Sequence, residues 1–170
     1  MQAPTRLCLL SGLFLLCHGM FPSTACATAF ESGLDAYHAG EFQDALRHFK
    51  IAAARGYIRV GAQHNLGVMY DNGVGVPEDD ATAVRWFRRA AEKGYLKSQS
   101  NLGLMYANGE GVPRNDVTAY LWFDVAARRG NQVAVRNRDV LAKSMSSDQI
   151  ETARSLANQC MQRRFRKCGR

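Results

Sequence analysis

Residues 62–97 and 98–133 are two copies of one 36-residue segment, aligned without a gap and identical at 19 positions. A chain that repeats at this period builds one supersecondary unit per copy. A single unit cannot cover its own apolar face, so successive units must stack on one another. The signal for a third unit is present upstream. Gly33, Tyr37, Gly40 and Phe42 precede Ala45, Phe49, Ala52, Ala53 and Gly56, which echo Ala83, Phe87, Ala90, Ala91 and Gly94 with a shorter loop between them.

Each copy reads as a pair of helices. Leu66, Met69 and Tyr70 follow i, i+3, i+4 spacing and line one stripe of the first helix. Gly67 costs that helix about 1 kcal/mol relative to alanine. Its expected compensation is close approach of the partner helix, and Gly103 repeats the device. Asn72-Gly73 ends the first helix, because both residues tolerate positive φ. Asp79 and Asn115 are expected N-caps for the amides of Thr82 and Thr118. The second helix packs Ala83, Trp86, Phe87, Ala90 and Ala91, with Trp86 and Trp122 expected on the packed face of each copy. Gly94 stops it. Beyond Asn131 the pattern changes to a helix over 133–143 and a last helix from Ile150 to about Arg163. Ser146 and Gln149 form a capping box, with Met145 and Ile150 as its hydrophobic staple.

Charge is unevenly placed. Of the formal +7, Arg6 contributes one, and residues 28–151 balance 15 basic against 15 acidic side chains. The remaining excess lies in 152–170, which argues against a uniformly basic nucleic-acid binder and leaves a basic tail on a neutral body. The N-terminus has the order of an export signal. Arg6 is followed by an apolar run from Leu7 to Cys17, then by Ala25-Cys26-Ala27, which places cleavage after Ala27. A lipoprotein cut before Cys26 fits less well, because Ser23 stands where a bulky apolar residue is usual. Residues 1–27 are therefore expected to be a signal peptide, and 28–170 a periplasmic or secreted product. That removes Cys8, Cys17 and Cys26. Cys160 and Cys168 remain and either pair as a disulfide or stay free on a frayed tail. Residues eight apart in a helix are separated by about 12 Å along its axis, so pairing requires the chain to turn back after roughly Arg164.

The pattern N-L-G-x-M-Y-x-N-G-x-G-V-P followed by A-x-x-W-F-x-x-A-A-x-x-G resembles the Sel-1-like repeat family, relatives of tetratricopeptide repeats. The resemblance covers roughly residues 30–160. It implies an all-α fold, an α/α solenoid wound as a right-handed superhelix of helix pairs. The units are a diverged repeat in 28–61, repeats at 62–97 and 98–133, a helical cap over 134–163, and a basic tail at 164–170. It further implies a non-catalytic adaptor, scaffold or regulator of the bacterial envelope that binds a protein partner in its concave groove. By the tetratricopeptide pattern, the solvent-facing groove positions are Glu31, Asp35 and His38, then His64, Val68, Asp71 and Asn72, then Ser100, Leu104, Ala107 and Asn108.

Chemistry was sought and not found in the pattern. A cysteine-rich branch of the family is associated with penicillin binding and β-lactamase activity, and it staples each repeat with cysteines eight apart. The corresponding positions here are Ala91 and Gln99, and no S-x-x-K tetrad exists. His38, His48 and His64 have no metal-ligand spacing, and no cofactor is implied. The Glu78-Asp79-Asp80 run reads as a helix start. Two other readings stay open: an envelope enzyme acting on β-lactams or wall fragments, and an immunity or sequestering protein for one effector. The tail residues Arg163, Arg164, Arg166 and Lys167 would contact anionic membrane, an acidic partner or wall polymer, or simply remain solvated. Nucleic acid is not an expected partner of an exported chain.

Overall fold

The structure is a computed structural model, and residues 23–54 and 59–169 are described. Most of the expected signal segment lies outside them. The described residues form eight helices and no strand: α1 (Ser23–His38), α2 (Phe42–Ala54), α3 (Arg59–Asp71), α4 (Asp80–Ala91), α5 (Leu96–Asn108), α6 (Asp116–Ala127), α7 (Gln132–Ala142) and α8 (Ser147–Gln162). Each helix packs chiefly on its neighbours in sequence, which is the connectivity of a solenoid. The exception is α8, which packs on α6 rather than on its sequence neighbour α7. α1 runs through the position where cleavage after Ala27 is expected.

One contact sets the pairing within every unit. A Cβ on Gly67 would come within 2.5 Å of the Phe87 ring, and one on Gly103 within 2.6 Å of Phe123. Gly33 meets Phe49 in the same way, at 2.7 Å, in the diverged first unit. All three phenyl rings are buried. A glycine notch therefore seats a phenylalanine of the second helix, and the burial of an aromatic ring offsets the poor helix propensity of glycine. The alanines Ala45, Ala52, Ala83, Ala90, Ala119 and Ala126 are fully buried and keep the helix axes close.

Caps end the helices where the sequence places them. Asp79 and Asn115 accept hydrogen bonds from the amides of Thr82 and Thr118, each at 2.8 Å. Ser146 and Gln149 close a reciprocal capping box, and Met145 and Ile150 pack together beside it. The Gly-x-Gly-Val-Pro turns touch the preceding unit. Gln43 Nε2 donates to the Gly75 carbonyl at 2.7 Å, and a Cβ on Gly111 would lie 2.3 Å from the Asp80 carbonyl carbon. These turns are inter-repeat seams rather than phosphate loops.

One expectation changes. Trp122 is fully buried, but Trp86 is only half-buried, with the Arg89 guanidinium 4.7 Å from its ring. Of the two forms expected for the segment after α8, residues 163–169 take the compact one. Past Gln162 the chain folds back through a series of turns and brings the Cα atoms of Cys160 and Cys168 within 5.2 Å, with their sulfurs at bonding distance.

Candidate functional site

The first helices of successive units make little contact with each other, which leaves a cleft between α1 and α3. A cavity of about 240 Å³ lies there, lined by Leu34, Tyr37, His38, His64, Asn65 and Val68. Three of the expected groove residues, His38, His64 and Val68, are thus brought to one place. Glu31 and Asp35 are exposed on α1, and Asn72 is exposed after α3, its side-chain amide donating to the Val68 carbonyl at 2.8 Å. Leu104 and Asn108 are exposed on α5, where Asn108 donates to Glu110. Ala107 is half-buried against the Ala119–Phe123 cluster.

Two expected surface positions are interior. Ser100 is 4% exposed and His64 is 9% exposed. His64 is enclosed by Tyr95 and Phe87 of its own repeat, 5.0 and 5.7 Å from its ring, and its Nδ1 lies 3.0 Å from the hydroxyl oxygen of Ser98, the first residue of the next. Loss of hydration, aided by the charge of Lys97, holds its pKa down to about 4, so the imidazole is neutral. The tetratricopeptide pattern placed these residues outward because it counts helix positions; it does not see Tyr95 and Ser98 closing over His64. Ser98 is itself fully buried, so the His64–Ser98 pair offers no exposed nucleophile.

Asp71 is half-buried at the end of α3. Desolvation pushes its carboxyl upward, and the charges of Asp80, Glu110 and Glu78 push it further. Glu78 and Glu110 lie in the loops after α3 and α5, and Asp80 begins α4. Among the described residues, no group of three or more His, Cys, Asp or Glu side chains is arranged to hold a metal ion. None of the described helices is long and apolar enough to cross a membrane.

At the positions where relatives carry stapling cysteines, a polar contact takes over. The buried Gln99 side chain donates to the Ala91 carbonyl at 3.1 Å, and Arg129 donates to Gln99 Oε1 at 3.2 Å. Sequence reading found the missing cysteines but not this substitute. The repeated Gln63, which accepts from Lys93 Nζ at 3.0 Å, was the available signal.

The Sel1 repeat profile matches residues 32–57, 60–95 and 96–131. The chain belongs to the Sel1 repeat family, whose members generally mediate protein–protein interaction. Among solved structures it is similar to a protective antigen of uropathogenic Escherichia coli strains with an SLR fold. That likeness has 32% identity and a TM-score of 0.77, and it covers 82% of this chain. This chain spans only 30% of the length of that antigen. It is also similar to a Sel1 repeat protein of Oxalobacter formigenes, with 31% identity and a TM-score of 0.60 over 67% of this chain and 87% of that one. No curated protein matches.

Proposed function

We propose that this chain is an exported, non-catalytic interaction module of a bacterial envelope, holding a cationic peptide segment of a partner across the α1–α3–α5 surface. The observation that carries the reading is the α1–α3 cavity, where Leu34, Tyr37 and Val68 stand beside His38, His64 and Asn65. Leu34, Tyr37 and Val68 offer room for one aliphatic or aromatic side chain. Glu31, Asp35 and Asp71 supply charge for neighbouring Lys or Arg residues, and a cation beside Asp71 would also relieve its repulsion from Asp80 and Glu110. Leu104 and Asn108 extend the same series of first-helix positions.

Export follows from the order of charge, apolar run and small residues in 1–27. In that setting Cys160 and Cys168 form a disulfide. Intact mass of the periplasmic protein should correspond to a start at Thr28, and retention of Met1 would remove the export reading.

Partner binding is tested by in-cell crosslinking of the tagged protein beside a variant carrying Asp71→Arg, Asn72→Arg and Leu104→Arg. One partner recovered by the first and lost by the second supports the groove, provided both proteins melt alike. Equal recovery removes the groove from the proposal. Turnover of nitrocefin by the purified protein, abolished on denaturation, would overturn the non-catalytic reading.

A further inference from the structure

The chain past α8 is anchored at three points. The Phe165 ring packs on Gly94, where a Cβ would come within 3.1 Å, and the Arg129 guanidinium lies 4.6 Å from the ring centre. Cys168 is buried with Leu121, Trp122 and Ala157. Gly169, at φ +63°, sits so close to Thr118 and Trp122 that a Cβ would stand 2.9 Å from the threonine methyl. Between these anchors Arg164, Phe165 and Lys167 take left-handed φ values of 51°, 67° and 55°. For non-glycine residues that conformation costs roughly 1 kcal/mol or more each, so the anchors and the cysteine pair hold a shape the segment would not keep alone.

That shape encloses a cavity of about 420 Å³ between the C-terminal turns, α8 and the loop before α6. Arg163, Arg166 and Lys167 border it on one side and Arg114 on the other, with Tyr106 and Leu156 among its less polar walls. Arg114 is paired with Asp116 at 2.9 Å. Arg163, Arg166 and Lys167 make no ion pair among the described residues. Arg166 also borders a second cavity, beside Lys50, Arg89, Glu92 and Lys93.

We infer that this cavity is a binding site for a phosphate group carried on an organic body. Three cations without a carboxylate partner suit a dianion better than a single carboxylate. Guanidinium groups give forked hydrogen bonds to phosphate oxygens, and the Tyr106–Leu156 side receives the organic part. The site shares no residue with the α1–α3 cavity and does not depend on the groove reading. A phosphate of this kind comes from a soluble phosphoester or from a lipid headgroup.

The test uses the full exported chain with Cys160 and Cys168 oxidised, titrated with phenyl phosphate by calorimetry at low salt. Benzoate serves as the carboxylate control. Saturable binding of phenyl phosphate, tighter than benzoate, is expected. Arg163→Gln with Lys167→Gln, which keeps side-chain bulk, should weaken it by about tenfold or more. Cys160→Ser with Cys168→Ser should weaken it comparably by releasing the loop, while circular dichroism confirms that the helices remain. Co-sedimentation with vesicles containing phosphatidic acid, a phosphate monoester, but not with phosphatidylcholine alone, in competition with phenyl phosphate assigns the phosphate to lipid. Phenyl phosphate binding without vesicle binding assigns it to a soluble ester. The inference is overturned by absent phenyl phosphate binding, by benzoate binding equally well, by affinity unchanged in either variant pair, or by vesicle binding that phenyl phosphate does not compete.

Discussion

The second helices of the two near-identical repeats, α4 and α6, share their Thr-Ala start, their Trp-Phe pair and their Ala-Ala close, yet they occupy different surroundings. α4 buries Ala83, Val84, Phe87, Ala90 and Ala91 and leaves Arg85 and Arg89 in solvent. α6 buries every residue from Thr118 to Ala126. The positions that differ account for this. Arg85, Arg88 and Arg89 on α4 correspond to Leu121, Asp124 and Val125 on α6. Leu121 and Val125 pack with Ala157, Cys160 and Cys168, and Asp124 pairs with Arg128 at 2.6 Å and with Arg138 of α7 at 3.1 Å. The shared residues fix how a helix seats on its own partner, while the differing ones record what lies across its other face. For α6 that is α8 and the folded C-terminal turns.

The tryptophans give the largest expected separation. Trp122 is enclosed on all sides, so Trp122→Ala should cost about 4 kcal/mol, as deletions of buried aromatic rings do. Trp86 keeps one face toward Arg89 and solvent, so Trp86→Ala should cost about 1 kcal/mol. Urea unfolding of both variants measures the gap, and equal losses would erase the distinction between the helices. Exchange of outer-face residues sharpens it. Leu121→Arg buries a charge without a partner and should cost about 3 kcal/mol or more, whereas Arg85→Leu should change stability by about 0.5 kcal/mol at most.

Much of this fold could be read from the chain because its signals are local. The glycine notches, the Asp79 and Asn115 caps, the Ser146 capping box and the turn glycines all act within one unit. The family resemblance extended that reading to the solenoid. What was hidden depends on contacts between distant segments. His64 looks like a surface residue until Tyr95, in the turn before α5, and Ser98, on α5, close over it. The reversal after α8 carries no glycine or asparagine signal, because Arg164, Phe165 and Lys167 adopt left-handed backbone under anchoring by Gly94, Arg129 and Thr118. Pairing of Cys160 with Cys168 required a turn; it did not say that the turn would seat a basic cluster against the loop before α6.

His64 supplies the next test, because its counterpart in the following repeat, Ser100, does not titrate. Its folded pKa of about 4 lies below the ordinary 6.5. Between those values the unfolded chain takes up a proton that the folded chain refuses. The stability tied to neutral His64 is therefore complete above the ordinary pKa and is lost as pH falls toward the folded one, by about 3 kcal/mol in all. His64→Ser removes that slope. The variant should be less stable than the parent near neutral pH through lost packing, and the difference should narrow as acid is added. A difference that stays constant across this window would show that His64 is hydrated in the folded state.

The smallest effect separates the repeats at Asp71, whose counterpart is Ala107. Asp71 carries a raised pKa from desolvation and from Asp80, Glu110 and Glu78, so its folded-state contribution runs opposite to that of His64. The folded chain favours the protonated carboxyl, and that advantage is lost as pH rises through the folded pKa. Near neutral pH the ionised group is held against its neighbours at a net cost. Asp71→Asn removes the charge at nearly constant shape and should raise Tm by about 1–2 °C, a modest value because the side chain is half in solvent. Molar salt should shrink the gain by screening the loop carboxylates, and acid should shrink it by protonating the parent. A gain that persists in both would assign the effect to packing and not to charge. A fall in Tm near neutral pH would mean that Asp71 already has a favourable partner, and its charge would no longer explain attraction of a cationic segment.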